Sequence, residues 1–438
     1  MEDRIVLPER LFMLAGDGER IEQFNLYYRN AVIDLAPDEH VNIICAYGRQ
    51  FRDFWRLEPG NAAQPFDAGA AAAGEFPLRL QVFDRRFALV AEKTTQIVIV
   101  PLEDKEETKL LGIGDSITRN GDYIGHARQT LHYVRTVGTR TYDGGEVKRE
   151  GRGGWTAEMY NHRTGAASDG DSPFLFPAGK PEATYWGNTS FWKHIVSVDP
   201  TGYAYDGYQL AARQQGDPNL PYTFGEDGYP LAPNVGDIAC DPELGDAPLR
   251  EWDGERWRAM EPQPEWEFDF GRYLRRFGVP QPDIVSILFG SNEFMPLERA
   301  EDGLDSFLHH IQLLVDSVKR HDPEVRIILN LPLTGAGQDA WGRSGGCNRS
   351  EARHRRNMQQ VARAMLRRWD NDEAREQGIR ICPLLLVVDP EHGFSVVNES
   401  VSKYVPKLVE RPSDWVHPNR AGHCQMGDTL AAVIQSID

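Results

Sequence analysis

Leu110-Leu111-Gly112-Ile113-Gly114-Asp115-Ser116-Ile117-Thr118 is the stretch on which the reading of this chain turns. A short apolar run ends abruptly in a glycine, an acid and a hydroxyl, which predicts a buried strand that stops at Gly114. A serine just past the carboxyl end of such a strand lies where open α/β sheets place their ligand crevices. Far downstream, Ser413-Asp414-Trp415-Val416-His417-Pro418-Asn419 supplies an acid and an imidazole three residues apart, ahead of a helix-like segment from Ala421 to Ile437. A serine hydroxyl is a poor nucleophile until an imidazole takes its proton, and the imidazole needs an acceptor to fix its tautomer. Either half alone reads as well as an ordinary turn. Their joint placement, one after the first α/β strand and one before the last helix, favours Ser116, His417 and Asp414 as a catalytic set.

Two further pieces lie between them. Arg152-Gly153-Gly154-Trp155-Thr156 is a glycine turn whose amide can approach a substrate closely, and Ile284-Val285-Ser286-Ile287-Leu288-Phe289-Gly290-Ser291-Asn292-Glu293 is an apolar strand ending in Gly-Ser-Asn. Each can aim an N–H at one point, as the oxyanion of acyl transfer requires, where one donor is worth about 3 kcal/mol. Taken singly, Gly154 also fits a plain turn and Asn292 a helix cap.

These four blocks, in this order, resemble the SGNH (GDSL-type) hydrolases, named for serine, glycine, asparagine and histidine. The blocks here are Gly114-Asp115-Ser116, a glycine at Gly153 or Gly154, Gly290-Ser291-Asn292, and Asp414-Trp415-Val416-His417. Gly154 is preferred for the second because it directly precedes the Trp-Thr helix start. The resemblance spans roughly residues 108 to 438. It implies a flavodoxin-like three-layer α/β/α sandwich, with Ser116 as nucleophile, His417 as general base and Asp414 as its orienter. It also implies an oxyanion hole of the Ser116 and Gly154 amides with the Asn292 side chain, and no cofactor or metal. Asp115, Trp155 and Trp415, beside these residues, are the expected substrate contacts. One departure is visible: many members carry Asp after the third-block asparagine, and this chain has Glu293.

A decoy has to be set aside. Gly342-Arg343-Ser344-Gly345-Gly346 satisfies the G-x-S-x-G nucleophile elbow. An elbow needs a strand running directly into the serine, yet Val325 to Leu333 is followed by Thr334-Gly335-Ala336-Gly337-Gln338-Asp339, which is loop chemistry. Gly112-Ile113-Gly114 likewise begins a dinucleotide fingerprint but has Ile117 where the third glycine belongs.

The amino-terminal part has a different period. Gln23 to Tyr28, Val41 to Cys45, Pro77 to Phe83 and Phe87 to Pro101 are short β-rich runs between turn residues, a β-sandwich pattern with Leu78, Leu80 and Val82 on one buried face and Trp55 as a core anchor. The expected organisation is a small all-β sandwich over 1–104, which resembles the immunoglobulin-like domains preceding some SGNH esterases, and a catalytic domain over 105–438, divided in the charged connector Pro101 to Thr108. In the second part, strand-like runs at Asp283 to Phe289, Val325 to Leu331 and Ile379 to Val388 alternate with helix-like runs near Gly303 to Arg320 and Ser350 to Asp370, the signature of a covered parallel sheet. An insertion at about 163–264 is irregular and aromatic. Trp155, Trp186, Trp192, Trp252, Trp257 and Trp266 lie in or beside it, and serve either as a wall over Ser116 or as the insertion's own small core.

Composition excludes some classes. The 438 residues are 40% hydrophobic and 26% charged, which suits a soluble globular protein, and a formal net charge of −18 opposes binding to nucleic acid or an anionic membrane. The Arg-rich run Arg353 to Arg368 reads as a solvated helix face. No apolar run reaches the ~18 to 20 residues of a membrane helix, and Met1-Glu2-Asp3-Arg4 is not a secretory leader. A cytoplasmic location is expected for a full chain, a secreted or periplasmic one if a leader was removed. Cys45, Cys240, Cys347, Cys382 and Cys424 are scattered and read as free thiols, and adjacent His309 and His310 point to different faces, against a metal site there. The expected function is a serine esterase removing a small acyl group, acetyl foremost, from an oligosaccharide, polysaccharide or similar small polar ester. The alternatives are a lipase or thioesterase acting on longer chains, and a non-catalytic glycan-binding protein on a hydrolase scaffold.

Overall fold

A computed structural model describes residues 4–15, 23–58, 74–141, 145–162, 172–178, 229, 231–233, 235–236, 238–240, 249–261 and 265–437. The first strands are β1 (Arg10–Leu14), β2 (Phe24–Tyr27), β3 (His40–Cys45), β4 (Arg49–Gln50), β5 (Phe54–Leu57), β6 (Gly74–Phe83) and β7 (Leu89–Val100), with the short α1 (Tyr28–Ala31) after β2. They make two sheets, ordered β1-β7-β6-β3 and β2-β5-β4. The Gln50 side chain links them, donating to Val41 O at 2.7 Å and accepting from Ile43 N at 3.0 Å. Leu78, Leu80 and Val82 are fully buried along one face of β6, as their alternation predicts, and Trp55 is 1% exposed. One feature departs from an antiparallel sandwich: β1 pairs with β7 in parallel.

The second half begins with β8 (Thr108–Gly114), the strand predicted from the opening run. There follow α2 (Ser116–Asn120), α3 (Asp122–Thr130), β9 (Val134–Val137), β10 (Glu150–Gly151) and α4 (Ala157–Asn161). Short strands β11 (Leu175–Pro177), β12 (Ile238–Cys240), β13 (Leu249–Trp252), β14 (Trp257–Ala259) and β15 (Trp266–Phe268) come from the insertion. Then come α5 (Phe270–Phe277), β16 (Ile284–Leu288), α6 (Ser291–Phe294), α7 (Leu304–His321), β17 (Arg326–Asn330), α8 (Gln338–Gly345), α9 (Glu351–Trp369), α10 (Asp372–Glu376), β18 (Ile379–Cys382) and α11 (Leu384–Val387). The hairpin β19 (Val396–Ser402) and β20 (Val405–Pro412) and the last helix α12 (Arg420–Gln435) complete the chain.

The central sheet is parallel, ordered β10-β8-β16-β17-β18, with β9 pairing the first half of β8. Helix α12 packs on α3, and α7 meets α5 and α9, so the sheet is covered by helices, as an α/β/α sandwich requires. The chain leaves β8 toward β9 and β10 on one side and resumes at β16 on the other. Ligands bind such sheets outside the carboxyl ends of the strands where the winding reverses. Two expected elements differ. The run Ile379 to Val388 is a strand only to Cys382, because Pro383 offers no N–H to the ladder and the apolar residues after it turn into α11. The hairpin β19–β20 follows no run singled out in the sequence. Among the described residues no helix is long and apolar enough to cross a membrane.

The halves on either side of the Pro101 to Thr108 connector share one hydrophobic core, running without interruption from Ile5 to Ile434. Helix α12 lies against β1, and α11 against β2, which explains why all four residues of β2 are buried rather than alternating. Gln359, fully buried on α9, donates its side-chain amide to the carbonyls of Arg29, Asn30 and Val32 at 2.9 to 3.0 Å. The two halves are therefore expected to unfold in one calorimetric transition. Gln359→Leu should shift that whole transition by about 1–3 kcal/mol, the cost of leaving buried carbonyls without a donor. Two resolved transitions, only one of them sensitive to the substitution, would contradict this.

Candidate active site

Ser116 opens α2 directly beyond β8, where Asp115 caps the helix by accepting Ile117 N–H at 2.9 Å. The backbones here are unusually close. A Cβ on Gly114 would stand 2.3 Å from Thr118 Oγ1 and 2.5 Å from Leu288 O, and one on Gly151 would stand 2.0 Å from Arg119 N. Glycine is thus required by close approach, and it holds the turn carrying Ser116 tightly between β10 and β16.

Ser116 Oγ lies 2.8 Å from His417 Nε2. His417 Nδ1 lies 3.2 and 3.1 Å from the two carboxylate oxygens of Asp414. Asp414 is fixed in turn by accepting the N–H groups of Val416 and His417 at 3.1 and 3.0 Å, an Asx turn that sets the D-x-x-H spacing. A proton held on Nδ1 by this carboxylate leaves Nε2 as the acceptor facing the serine. Burial opposes charge on His417, but the hydrogen bond and charge of Asp414 outweigh it and hold the imidazole above its ordinary value of 6.5. Burial likewise opposes charge on Asp414, and the His417 contact overrides it to keep the carboxyl below the usual range.

The glycine turn and the asparagine converge on the same point of the sheet. Arg152 N–H donates to Gly114 O at 2.9 Å, and Gly154 then takes the left-handed conformation at φ +76° with open space beside it. Asn292 on α6 donates one amide hydrogen to Trp155 O at 2.9 Å, which leaves its second for another acceptor. Neither the Ser116 nor the Gly154 N–H bonds to any described residue.

Three groups support this turn, of which the sequence singles out only Glu293. The Tyr160 hydroxyl lies 2.9 Å from Gly114 O and 2.5 Å from Glu150 O, tying the ends of β8 and β10 together. Glu150, fully buried, accepts from Thr139 N–H and from the Tyr273 hydroxyl, both at 2.7 Å, and faces the equally buried Arg152 at 3.4 Å. Glu293 accepts Gly290 N–H at 3.0 Å and Ala157 N–H at 2.7 Å, so a single carboxylate joins the asparagine block to the glycine block. Burial pushes Glu293 up to about 7 against these two N–H bonds. The Glu293 departure was visible in the sequence. Its reach across to Ala157 was not, because nothing local marks a partner 136 residues away.

Two of the three expected substrate contacts, Trp155 and Asp115, need correction. The Trp155 ring is fully buried, edge-on to Tyr160 at 5.1 Å and covered by the Arg152 guanidinium at 5.0 Å, so it supports the turn from beneath. Asp115 is 1% exposed and spends its carboxylate on the helix cap; burial raises its pKa to about 6. Trp415 is half-buried, 5.1 Å from Trp341 and 5.3 Å beneath Arg349. Ser344 lies exposed within α8, not in a loop, and no strand runs into it. Trp252 and Trp257 pack on each other at 5.4 Å, as a small core of the insertion would; Trp186 and Trp192 lie outside the described residues.

Residues 258–430 match the family model of GDSL-like lipases and acylhydrolases. That stretch contains Asn292, Asp414 and His417 and begins after Ser116 and Gly154. No curated protein matches the chain. Among solved structures, a carbohydrate esterase family 3 protein from Talaromyces cellulolyticus is 14% identical, with a TM-score of 0.33 over 75% of this chain and 98% of that one. A member of the lipolytic G-D-S-L family from Veillonella parvula DSM 2008 is 11% identical, with a TM-score of 0.28 over 75% and 99%. Both scores lie too low to carry an argument about chemistry.

The Glu293 bridge is directly testable. Aspartate is one methylene shorter and cannot span both N–H groups, so Glu293→Asp should leave one buried donor unpaired and cost about 1–3 kcal/mol in denaturant unfolding. Unchanged stability would show that the two blocks are held together without it.

Proposed function

We propose that this chain, a member of the GDSL-like lipase/acylhydrolase family, is a serine esterase that removes a small acyl group, acetyl foremost, from a carbohydrate or similar polar substrate. The observation that carries the reading is the unbroken hydrogen-bonded line from Ser116 Oγ through His417 to Asp414. In this reading His417 Nε2 takes the serine proton as Oγ attacks the ester carbonyl. Asp414 stabilises the imidazolium that forms. Charge developing on the carbonyl oxygen is met by the Ser116 and Gly154 amides and the second Asn292 hydrogen, donors whose effect is largest in the transition state. The imidazolium then gives its proton to the leaving alcohol, and water activated by the same histidine hydrolyses the acyl-enzyme. The small acyl group is supported by a nucleophile only 8% exposed, and the polar alcohol by the aromatic, Gly- and Asp-rich insertion.

Ser116→Ala should abolish nearly all hydrolysis of p-nitrophenyl acetate while leaving the unfolding midpoint unchanged, with a residual acceleration of ~10³ to 10⁴ over water from the remaining donors and binding. Full activity in the variant, or phosphonate labelling at Ser344, would reject Ser116. The base must be neutral to act, and Asp414 raises the pKa of His417. Activity (kcat/KM) should therefore fall about tenfold per pH unit on the acid side, with a midpoint above 6.5, and level off as pH rises through it. A profile flat from acid to neutral pH would exclude His417 as the base.

Acyl-chain length tests the substrate class. A pocket fitted to a methyl group rejects added methylenes at ~1–3 kcal/mol of overpacking, whereas an apolar groove gains about 0.8 kcal/mol for each one buried. kcat/KM should fall steeply from p-nitrophenyl acetate to butyrate to octanoate, and acetylated oligosaccharides should release acetate. A rise toward octanoate would instead support a lipase or thioesterase.

A further inference from the structure

A second cluster of ligating side chains includes two from the helix that follows the glycine turn. Glu158 stands on α4 and His162 caps its end, one helical turn apart and on the same face. His310 comes from α7, 148 residues further along, and the Asn161 side-chain amide holds the two elements in register by donating to His310 O at 3.1 Å. The ligating atoms of Glu158, His162 and His310 all lie within 4.8 Å of one another. The rings of His162 and His310 meet edge to face at 5.2 Å.

His310 is only 7% exposed, and its Nδ1 is buried with no hydrogen-bond partner among the described residues. A buried polar nitrogen left without a partner is costly, and native structures rarely tolerate one. The adjacent His309 does not share this environment. It is exposed, as expected of neighbouring helical residues that face different ways.

We propose that Glu158, His162 and His310 form a binding site for a divalent transition metal, with zinc as the preferred ion. Two imidazoles and a carboxylate are a donor set that suits zinc, with a fourth position left for water. Tetrahedral coordination at ~2.1 Å places ligand atoms about 3.4 Å apart, so metal binding would require the exposed Glu158 and His162 side chains to rotate inward from the observed separations of up to 4.8 Å. Bound there, the ion would clamp α4 to α7. It would share no ligand with the Ser116–His417 pair.

The full-length protein, stripped with a chelator and dialysed, is titrated with zinc by calorimetry and with cobalt by visible absorption. One equivalent of zinc is expected to bind, cobalt to develop the d–d bands of a low-coordinate site, and the unfolding midpoint to rise with free zinc. His162→Gln, an exposed change that should leave the metal-free midpoint unaltered, is expected to weaken zinc binding by more than about a hundredfold, beyond the loss of a residue that only supports a ligand. Glu158→Gln should weaken it as well. The proposal is overturned if the wild-type protein binds no stoichiometric zinc, or if both variants bind it as the wild type does, which would put the ion on other histidines or cysteines.

Discussion

Everything at this site depends on how closely three backbones approach one another at the carboxyl end of β8. Gly114 and Gly151 remove the side chains that would hold α2 away from β10 and β16, since a Cβ at either position would fall within 2.6 Å of backbone or side-chain atoms. The serine that follows is thereby set at the reversal of the sheet, at the start of a helix and facing the carboxyl-terminal histidine. A larger residue at either glycine would have to move a strand or the helix, and Ser116 Oγ would lose the 2.8 Å contact that makes it a candidate nucleophile. Proximity of this kind is worth many kilocalories, and small displacements forfeit it quickly.

Such tight packing carries polar groups inward, and they have to be satisfied there. Glu150, Arg152, Thr139, Tyr160 and Tyr273 form a buried set whose hydrogen bonds end on the β8 and β10 backbones. Removing one member of a buried ion pair such as Glu150–Arg152 leaves the other charge uncompensated, at about 3–5 kcal/mol, so the set fixes the geometry whatever its net contribution to stability. Glu293 extends the same logic to the asparagine block. Its carboxylate is the only described acceptor shared by Gly290 and Ala157, and it links the two places from which oxyanion donors would come.

The features legible in the sequence were those fixed by local chemistry. Leu110 to Gly114 stops being apolar where the strand stops; Ser350 caps α9 through Arg353 N–H at 3.3 Å; Asp414 and His417 sit three apart because one Asx turn demands it. Misreadings arose where tertiary packing decides. Trp155 looks like a surface ring beside a glycine turn, and only the fold shows Arg152 and Tyr160 closing over it. Leu384 to Val387 carries the composition of a strand, yet a proline before it and the apolar layer around it make it a helix.

The amino-terminal β-rich region braces the loops on which the segment carrying His417 rests. Asn30, fully buried on α1, donates to Val388 O at 2.9 Å and accepts from the Thr334 hydroxyl at 3.0 Å, so one side chain grips the loops that leave both β17 and α11. Two residues beyond Thr334, Ala336 N–H donates to Trp415 O at 2.8 Å, within the segment that carries Asp414 and His417. The loop after α11 holds that segment from the other side: Asn419 N–H donates to Gly393 O at 2.9 Å and its side chain to Phe394 O at 2.8 Å. His417 thus lies within hydrogen-bond reach of a serine 301 residues away on a segment tied down at both ends. The continuous core and the Asn30 contacts place that histidine on a loop braced from both halves, with β1 packed on α12 and β2 on α11.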